Sequence, residues 1–281
     1  MQLTEEQLSF YHEQGYLLIP GCFPRAEMET LRAELPKIFA EDSLRRVVEK
    51  NRNVVRSVYG SHLHNETFDI LSRHPRLVLP TKQILDSDVY VYQFKVNAKA
   101  SFNGDVWEWH QDYIFWRRED GMPQDRVTSV AIFIDDVTEF NGPLFLIPGS
   151  HREGMIENLV PDRVAGKASE AYQGSPAWIN NLTADLKYSL NKEIIAKLVD
   201  KYGIVSPKGP SGSILFFHGN LVHGSTNNIS PFDRVAVIVT FNSTENVPVP
   251  VSTPRPEFLV SRDPRPITPV SDNALLSLSR D

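Results

Sequence analysis

The chain has 281 residues, 41% of them hydrophobic, and a formal net charge of −6. This length suits one β-rich domain with its own core, so we expect a single domain over residues 1–281. The acidic balance offers no basic tract for nucleic acid, and no apolar run approaches the roughly 20 residues of a membrane helix. We therefore expect neither nucleic-acid nor membrane partners, and the lone Cys22 favours a cytoplasmic location.

Two helices are predicted near the N-terminus. Thr4 and Gln7 form a capping-box pattern, and Gly15 is a typical residue to end the helix that they open. In the following stretch, "FPRAEMETLRAELPKIFAED", apolar residues recur at helical spacing and Pro36 interrupts them. We expect these helices to pack outside a core formed by later elements.

A β core is predicted from residue 89 onward. Runs rich in β-branched and aromatic residues are bounded by turn residues, as is typical of strands. The runs are "VYVYQFKV", "SVAIFIDDV", "GSILFFHGNLVHGS" and "RVAVIVTFNS". The fold class that follows is mainly β with flanking helices.

Two segments outside this core have a distinct composition. Residues 155–189 form a polar insertion between strands, which is either a lid over a site or a surface excursion without a role. A helix, "NKEIIAKLVDKYG", follows the insertion and is predicted to stop at Gly203. From residue 247 prolines recur every few residues, which predicts an extended C-terminal tail over the domain.

A histidine and an aspartate stand one residue apart in the aromatic run "VWEWHQDYIFW". In a strand, residues i and i+2 share a face, so we expect His110 and Asp112 to project together and Gln111 to face away. Two histidines with one carboxylate form the facial triad of non-heme iron(II) oxygenases, which leaves open positions on the metal. This pair therefore predicts a metal site that needs one more histidine.

His223 is the better candidate for the third ligand. It stands at the end of an apolar run, just before "GSTNN", where a strand enters a turn and a side chain can reach the mouth of a barrel. His218 lies five residues earlier in the same run, on the opposite parity, and is expected to face away.

An arginine follows at the start of the next predicted strand. Arg234 lies eleven residues beyond His223, and its guanidinium can bind the distal carboxylate of a dicarboxylate that chelates the metal through a 2-oxo acid. Such a dicarboxylate is 2-oxoglutarate. The alternative is an ordinary surface ion pair with Asp233 or Glu245.

Four motifs carry a resemblance to a known family. The stretches "QFKVNAK", "GDVWEWHQDYIFW", "NGPLFLIPGSH" and "VHGSTNNISPFDR" resemble the phytanoyl-CoA dioxygenase superfamily. The resemblance covers most of the chain and is strongest for the bacterial branch that hydroxylates free ectoine and free L-proline. It implies a double-stranded β-helix, a jelly roll of the cupin type, that uses iron(II), 2-oxoglutarate and dioxygen. His110, Asp112 and His223 match the iron ligands of this superfamily.

Four residues are candidates for cosubstrate binding. Lys99 matches a lysine associated with 2-oxoglutarate in ectoine hydroxylases, and Arg234 fits the distal carboxylate. Asn97 shares a strand face with Lys99, and Ser225 stands just after His223. The alternatives are that Asn97 pairs with another interior polar residue and that Ser225 only caps a turn.

Four residues are candidates for substrate binding. Gln93 matches a substrate-contacting glutamine of the family, and Tyr113, Phe115 and Trp116 can supply aromatic walls, although core packing is the alternative for these rings. Ectoine hydroxylases usually carry a small residue after this tyrosine, whereas this chain has Ile114 there. The stretch "WHQDYIFWRREDGM" is more similar to L-proline trans-4-hydroxylases.

The favoured function is therefore the hydroxylation of a free amino acid, L-proline to trans-4-hydroxy-L-proline, with release of succinate and carbon dioxide. One alternative is hydroxylation of ectoine or of another small imino or amino acid. A non-enzymatic alternative is a metal-binding β-barrel sensor without turnover. A small-molecule substrate is the expected partner, and the sequence leaves the oligomeric state open.

Overall fold

The computed structural model describes residues 1–49, 54–161, 177–183 and 186–278. The helices are α1 (Glu5–Gln14), α2 (Arg25–Ala40), α3 (Glu66–Ser72), α4 (Pro75–Leu85), α5 (Asp112–Asp120), α6 (Lys192–Tyr202) and α7 (Ala274–Ser277). The strands are β1 (Tyr16–Ile19), β2 (Arg46–Val48), β3 (Val55–Tyr59), β4 (Val89–Lys99), β5 (Trp107–His110), β6 (Val127–Phe133), β7 (Leu144–Leu146), β8 (Ile214–His218), β9 (His223–Ser225) and β10 (Arg234–Ser243). Short 3₁₀ helices cover Ser61–Leu63, Ser150–Glu153 and Ala177–Leu182.

These strands form two antiparallel sheets. The large sheet has the order β1-β8-β6-β10-β4-β3-β2, and the small sheet has the order β5-β9-β7. Side chains from both sheets line one cavity between them, including Lys95 and Ile238 from the large sheet and His110 and His223 from the small one. This arrangement is the double-stranded β-helix that was predicted, a mainly β fold with flanking helices.

Strand alternation divides the large sheet into two faces. Alternate residues of β10, such as Val237 and Val239, pack in one core with helix residues such as Leu31 and Leu77. The intervening Ile238 belongs to a second core with residues from β6, β8 and the small sheet. The helices thus cover the outer face, and the inner face is left to line the cavity.

Helix ends follow the predicted signals. The capping box of Thr4 and Gln7 is present, and Gly15 ends α1 in the left-handed conformation. Gly203 ends α6 as predicted, and its N–H donates to the carbonyl of Val199. The interruption expected at Pro36 was wrong, because α2 continues through it to Ala40. No helix in the described ranges combines the length and the apolar character needed to cross a membrane.

The insertion and the tail meet at the surface of the barrel. Residues 162–176 and 184–185, about half of the predicted lid, lie outside the described residues. In its described part, Trp178 packs edge-on against Phe258 of the tail, with ring centroids 5.6 Å apart. The tail crosses the domain without helix or strand between residues 248 and 270, and the backbone N–H of Ser261 donates to the carbonyl of Tyr92.

Candidate metal centre and its cavities

His110 and Asp112 meet at a junction between a strand and a helix. Strand β5 ends at His110, and Asp112 is the first residue of α5. His110 Nε2 lies 3.7 Å from Asp112 Oδ1. The predicted proximity is present, but the shared strand face that was offered as its cause was wrong, because the chain turns between the two residues.

Gln111 lies at this turn and faces away from the two ligands, as predicted, although it is buried. Its Nε2 donates to the carbonyls of Gly154 and Asn220, at 2.8 and 2.6 Å. Its Oε1 accepts a hydrogen bond of 2.8 Å from the backbone N–H of Ile156. One amide thus joins the turn to two other loops and fixes the direction in which α5 begins.

His223 completes a cluster of three side chains. It is the first residue of β9 and pairs in register with His110, so the two rings lie 4.2 Å apart. His223 Nε2 is 3.9 Å from Asp112 Oδ2, and one ligand atom from each of the three residues lies within 4.8 Å of the others. His218 ends β8 and, among the described residues, does not belong to this cluster.

Backbone carbonyls orient both imidazoles. Nδ1 of His110 lies 2.6 Å from the carbonyl oxygen of Glu108, and Nδ1 of His223 lies 2.9 Å from that of Leu221. Each Nδ1 therefore carries the proton and donates it to the carbonyl. This leaves the lone pair of Nε2 free to bind a metal, as in many metal-binding histidines.

Nearby charges favour the ionised carboxylate. Burial raises the pKa of Asp112, but Lys95 and the two histidines outweigh burial and hold that pKa well below its usual range. Burial, together with His110, lowers the pKa of His223 to about 4. At neutral pH the site thus offers an anionic oxygen and a neutral imidazole, which is the charge state that a divalent cation requires.

The donor set fits an iron ion. Asp112 Oδ2 is buried and has no hydrogen-bond partner among the residues that the structure describes. An unsatisfied buried carboxylate oxygen is costly, and a cation between the three side chains would remove that cost. Two imidazole nitrogens and one carboxylate are the facial donor set of non-heme iron(II).

One cavity lies between the sheets, and we call it the barrel cavity. His110 and His223 lie at one part of its wall, and Asn97, Ser225 and Arg234 line it as well. Three polar atoms on this wall are buried without partners in the described structure: Asn97 Oδ1, Ser225 Oγ and Arg234 Nε. Such groups indicate a polar ligand, because buried polar groups are otherwise paired.

A second cavity shares His110 with the barrel cavity and is lined by residues of α5, and we call it the helix-side cavity. Its lining includes His110, Asp112, Gln93, Phe115 and Trp116. The predicted substrate candidates Gln93, Phe115 and Trp116 are thus brought to the metal site. Tyr113 is not among the lining residues described for this cavity; it packs in the core against Gly219.

Lys99 is buried, but its side chain points away from both cavities. Its Nζ donates to the backbone carbonyls of Asp105 and Thr226, and it is not among the described residues that line either cavity. Burial, and then the charges of Arg234 and Arg56, lower the pKa of Lys99 to about 6.

Sequence reasoning missed two cations at the site. Lys95 lines both cavities. It shares a strand face with Gln93 and Asn97 on β4, and this was the signal that could have identified it. Arg255 of the tail lines the helix-side cavity. Its neighbourhood is proline-rich and irregular, so no periodic signal pointed to it.

Comparison with known proteins agrees with this geometry. A model of the phytanoyl-CoA dioxygenase (PhyH) family matches residues 11–236. An L-proline trans-4-hydroxylase from Streptomyces griseoviridis is 38% identical over 266 residues, covering 94% of this chain and 95% of that protein. An ectoine dioxygenase from Nocardia farcinica is 34% identical over 275 residues, covering 95% and 88% of the two chains.

Solved structures show the same fold. The crystal structure of EctD from S. alaskensis with 2-oxoglutarate and 5-hydroxyectoine superposes with a TM-score of 0.79 at 28% identity, covering 94% of this chain and 86% of EctD. The carbocyclase SnoK, a non-heme α-ketoglutarate-dependent enzyme, superposes with a TM-score of 0.62 at 20% identity, covering 86% and 85% of the two chains, and supports the fold alone. The chain therefore belongs to the phytanoyl-CoA dioxygenase family and is a 2-oxoglutarate-dependent non-heme iron dioxygenase.

Proposed function

We propose that the enzyme hydroxylates free L-proline to trans-4-hydroxy-L-proline in the cytoplasm. The observation that carries the proposal is the helix-side cavity, which is lined by two of the candidate iron ligands, His110 and Asp112, and combines aromatic walls with an amide and a guanidinium. The similarity to an L-proline trans-4-hydroxylase over nearly the whole chain supports the same substrate.

His110, Asp112 and His223 are proposed to hold the iron. Nε2 of each histidine lies near the carboxylate of Asp112, and each Nδ1 is held by a backbone carbonyl. Oδ2 of Asp112 has no partner in the described structure and is available to the metal. Iron(II) with 2-oxoglutarate and dioxygen supplies the oxidising chemistry: one oxygen atom enters the substrate C–H bond, and the other enters succinate as carbon dioxide leaves.

Arg234 is proposed to bind the distal carboxylate of 2-oxoglutarate in the barrel cavity, which it lines. It is 5% exposed, and its Nη2 donates to the carbonyl of Gly142, at 2.6 Å, which fixes the guanidinium plane. The free Nε donor and the unpartnered Ser225 Oγ and Asn97 Oδ1 can then serve the cosubstrate and its bound water. A charge-assisted contact of this kind is strong in a buried site.

The helix-side cavity offers complementary groups to an amino acid. Arg255 donates to both carboxylate oxygens of Asp120 through Nε and Nη2, which leaves its Nη1 donors for a substrate carboxylate. Gln93 Nε2 donates to the carbonyl of Leu259, at 2.9 Å, so its Oε1 is oriented as an acceptor for a substrate ammonium. Phe115 and Trp116 supply apolar surface for the ring between these two ends.

The test is product identification. The Fe(II)-loaded enzyme would be given 2-oxoglutarate, air and a panel of free amino acids that includes L-proline, and the products would be separated against the hydroxyproline isomers. We expect trans-4-hydroxy-L-proline and an equimolar amount of succinate. Turnover of another panel member with L-proline inert would overturn the substrate and leave the reaction class standing.

Ectoine is the second candidate substrate. The similarity to ectoine dioxygenases is nearly as high as that to the proline hydroxylase, and EctD superposes over 94% of this chain. Ectoine also carries one carboxylate and a compact ring, so the same Arg255 and aromatic walls suit it. It therefore belongs in the same substrate panel.

A further inference from the structure

A buried ion pair holds the backbone at the start of β5. Arg56 is 1% exposed and Glu49 is 3% exposed, and Nη1 of Arg56 donates to both carboxylate oxygens of Glu49, at 3.3 and 3.1 Å. Nη2 of Arg56 donates to the carbonyl of Val106, at 2.8 Å. Oε1 of Glu49 accepts a hydrogen bond of 3.2 Å from the N–H of Asp105. The pair thus fixes the two residues that precede β5.

A β-bulge turns Arg56 toward the cavities. Where β3 pairs with β2, it carries one extra residue between Val55 and Ser57, and this residue is Arg56. In a regular strand Arg56 would point away from Tyr59, which lines the helix-side cavity. A bulge redirects a side chain, and here the guanidinium reaches the indole of Trp107.

The guanidinium packs on the face of this indole. Cζ of Arg56 lies 3.8 Å from the centroid of the Trp107 ring, within the range of a cation–π contact. Trp107 lines both the barrel cavity and the helix-side cavity, and among the described residues only Lys95 and His110 share this property. The rings of Trp107 and His110 have centroids 6.4 Å apart. The indole is therefore a wall of both cavities beside a candidate iron ligand.

We propose that Arg56 is a positioning residue that fixes Trp107 and thereby couples the consumption of 2-oxoglutarate to hydroxylation of the amino acid. The proposal rests on the proposed function, in which cosubstrate and substrate occupy the two cavities that share this indole. A buried ion pair adds little net stability compared with apolar groups of the same volume, so its main effect here is geometric. A mobile indole would let the substrate shift, and a small shift slows C–H oxidation strongly.

The two kinds of turnover differ in the fate of one oxygen atom. In coupled turnover, 2-oxoglutarate, dioxygen and a substrate C–H bond give succinate, carbon dioxide and an alcohol. In uncoupled turnover that oxygen atom leaves as water, which requires two electrons and two protons. Ascorbate in the assay supplies them and becomes dehydroascorbate. The ratio of succinate to hydroxylated product therefore measures the coupling.

The test is this ratio, measured on the Fe(II)-loaded enzyme with ascorbate. Arg56→Met should raise it from one to about two or more, because the substrate is held less precisely. A smaller folded fraction would lower succinate and product equally and would leave the ratio unchanged. In a Trp107→Leu background, Arg56→Met should not change the ratio further, because its effect passes through the indole.

A second measurement needs neither metal nor substrate. The contribution of Trp107 to the near-UV circular dichroism of the metal-free protein is the difference between a protein and its Trp107→Leu counterpart. This contribution should be smaller with Arg56→Met than with the native arginine, because a mobile ring has a weaker signal. If Arg56→Met does not fold, the double variant Arg56→Met with Glu49→Gln replaces it, since it leaves no unpaired buried charge.

Arg76→Met is the matched control. Arg76 also pairs with a buried glutamate, Glu27, and also lies over an aromatic ring, with Cζ 5.2 Å from the centroid of Phe23. None of these three residues is among the described residues that line either cavity. The control should lose stability and keep a ratio of one.

Four results would overturn the proposal. An unchanged ratio in Arg56→Met would mean that this arginine has no part in coupling. An equal rise in the Trp107→Leu background would mean that it acts by another route. A raised ratio in Arg76→Met would mean that destabilisation alone uncouples the enzyme. An unchanged Trp107 signal would mean that Arg56 does not fix the ring, and this result is independent of the substrate. If L-proline is inert, the ratio is measured with the amino acid that is hydroxylated.

Discussion

Arg255 of the tail forms a buried ion pair with Asp120. Asp120 is the last residue of α5, and the candidate iron ligand Asp112 is the first residue of the same helix. Nε of Arg255 donates to Oδ1 of Asp120, at 2.7 Å, and Nη2 donates to Oδ2. The two side chains are 5% and 1% exposed, and the hydroxyl of Tyr92 donates to the same carboxylate. The tail is therefore attached to the helix that borders both the metal site and the helix-side cavity.

Removing this arginine should affect both stability and substrate binding. Arg255→Met leaves Asp120 as a buried charge, and loss of one partner of such a pair costs about 3 to 5 kcal/mol of unfolding free energy. The apparent KM for L-proline should rise at the same time. Urea denaturation and steady-state kinetics would measure the two effects.

A double variant separates these two effects. Arg255→Met with Asp120→Leu removes both buried charges and should recover part of the lost stability. The KM for L-proline should remain high, because the guanidinium is still missing. A KM that recovers together with stability would show that Arg255 acts only through the fold.

The metal ligands can be tested by metal binding as well as by activity. Asp112→Ala and His223→Ala should each lower iron affinity and hydroxylation by more than about a hundredfold, since even outer partners of metal ligands contribute ten- to a hundredfold. Iron content after dialysis and product yield are the measurements. His218→Ala should keep its iron, and loss of iron from that variant would contradict the ligand assignment.

Arg234→Leu should raise the apparent 2-oxoglutarate requirement roughly tenfold to a hundredfold, because a charge-assisted contact to a buried carboxylate is worth about 1.5 to 3 kcal/mol. The KM for 2-oxoglutarate at saturating L-proline would measure this. The KM for L-proline should change little, since Arg234 lines only the barrel cavity in the described structure. An unchanged KM for 2-oxoglutarate would mean that another cation binds its distal carboxylate.

Gln111 should support the metal site through the backbone. Gln111→Leu keeps the side-chain volume but leaves the carbonyls of Gly154 and Asn220 and the N–H of Ile156 without this partner. We expect a loss of about 1 to 3 kcal/mol of unfolding free energy for unpaired buried groups and weaker iron binding. Denaturation of the iron-free and iron-loaded protein would separate the two, and full retention of both would contradict the role.

Stability should fall in mild acid because of buried histidines. His74 caps α4 by accepting a hydrogen bond at Nδ1 from the backbone N–H of Arg76, and burial, followed by the charge of Arg76, lowers its pKa from 6.5 to about 4. The unfolded chain takes up a proton below pH 6.5 while the folded chain does not. The contribution of His74 is therefore complete above pH 6.5 and is lost as the pH falls from 6.5 towards 4.

His74→Asn isolates this contribution, because asparagine also caps helices but does not titrate. The Tm of the wild type should drop more than that of the variant between pH 6.5 and 4, measured by thermal unfolding at constant ionic strength. Parallel curves would mean that His74 is not responsible.

The sequence predicted which residues form the ligand cluster better than it predicted the secondary structure around them. The run from Arg234 to Ser243 has the alternation of a strand and forms one, and His110, Asp112 and His223 converge as expected. The aromatic residues after Asp112 also favour strands, yet they form α5. Contacts distant in sequence decide this, such as the bond from Tyr113 N–H to the Gly219 carbonyl.

The positions of long side chains were harder to predict than the strand faces from which they start. Parity on β4 places Lys95, Asn97 and Lys99 on one face, but the loops around Gly104 and Gly142 determine where the long lysine 99 stem ends. Arg255 comes from a segment without regular hydrogen bonding, and only the folded chain shows that it reaches the cavity.

Helix α5 has consequences for anyone who wishes to engineer a new substrate range. It is nine residues long, roughly 13 Å at 1.5 Å per residue, and it carries Phe115 and Trp116 on the same rigid body as Asp112. Replacements of these rings would shift the carboxylate and require compensating changes elsewhere. Leu182 and Leu186 line the helix-side cavity from a separate segment. Directed evolution should therefore find its first tolerated substitutions at these two leucines.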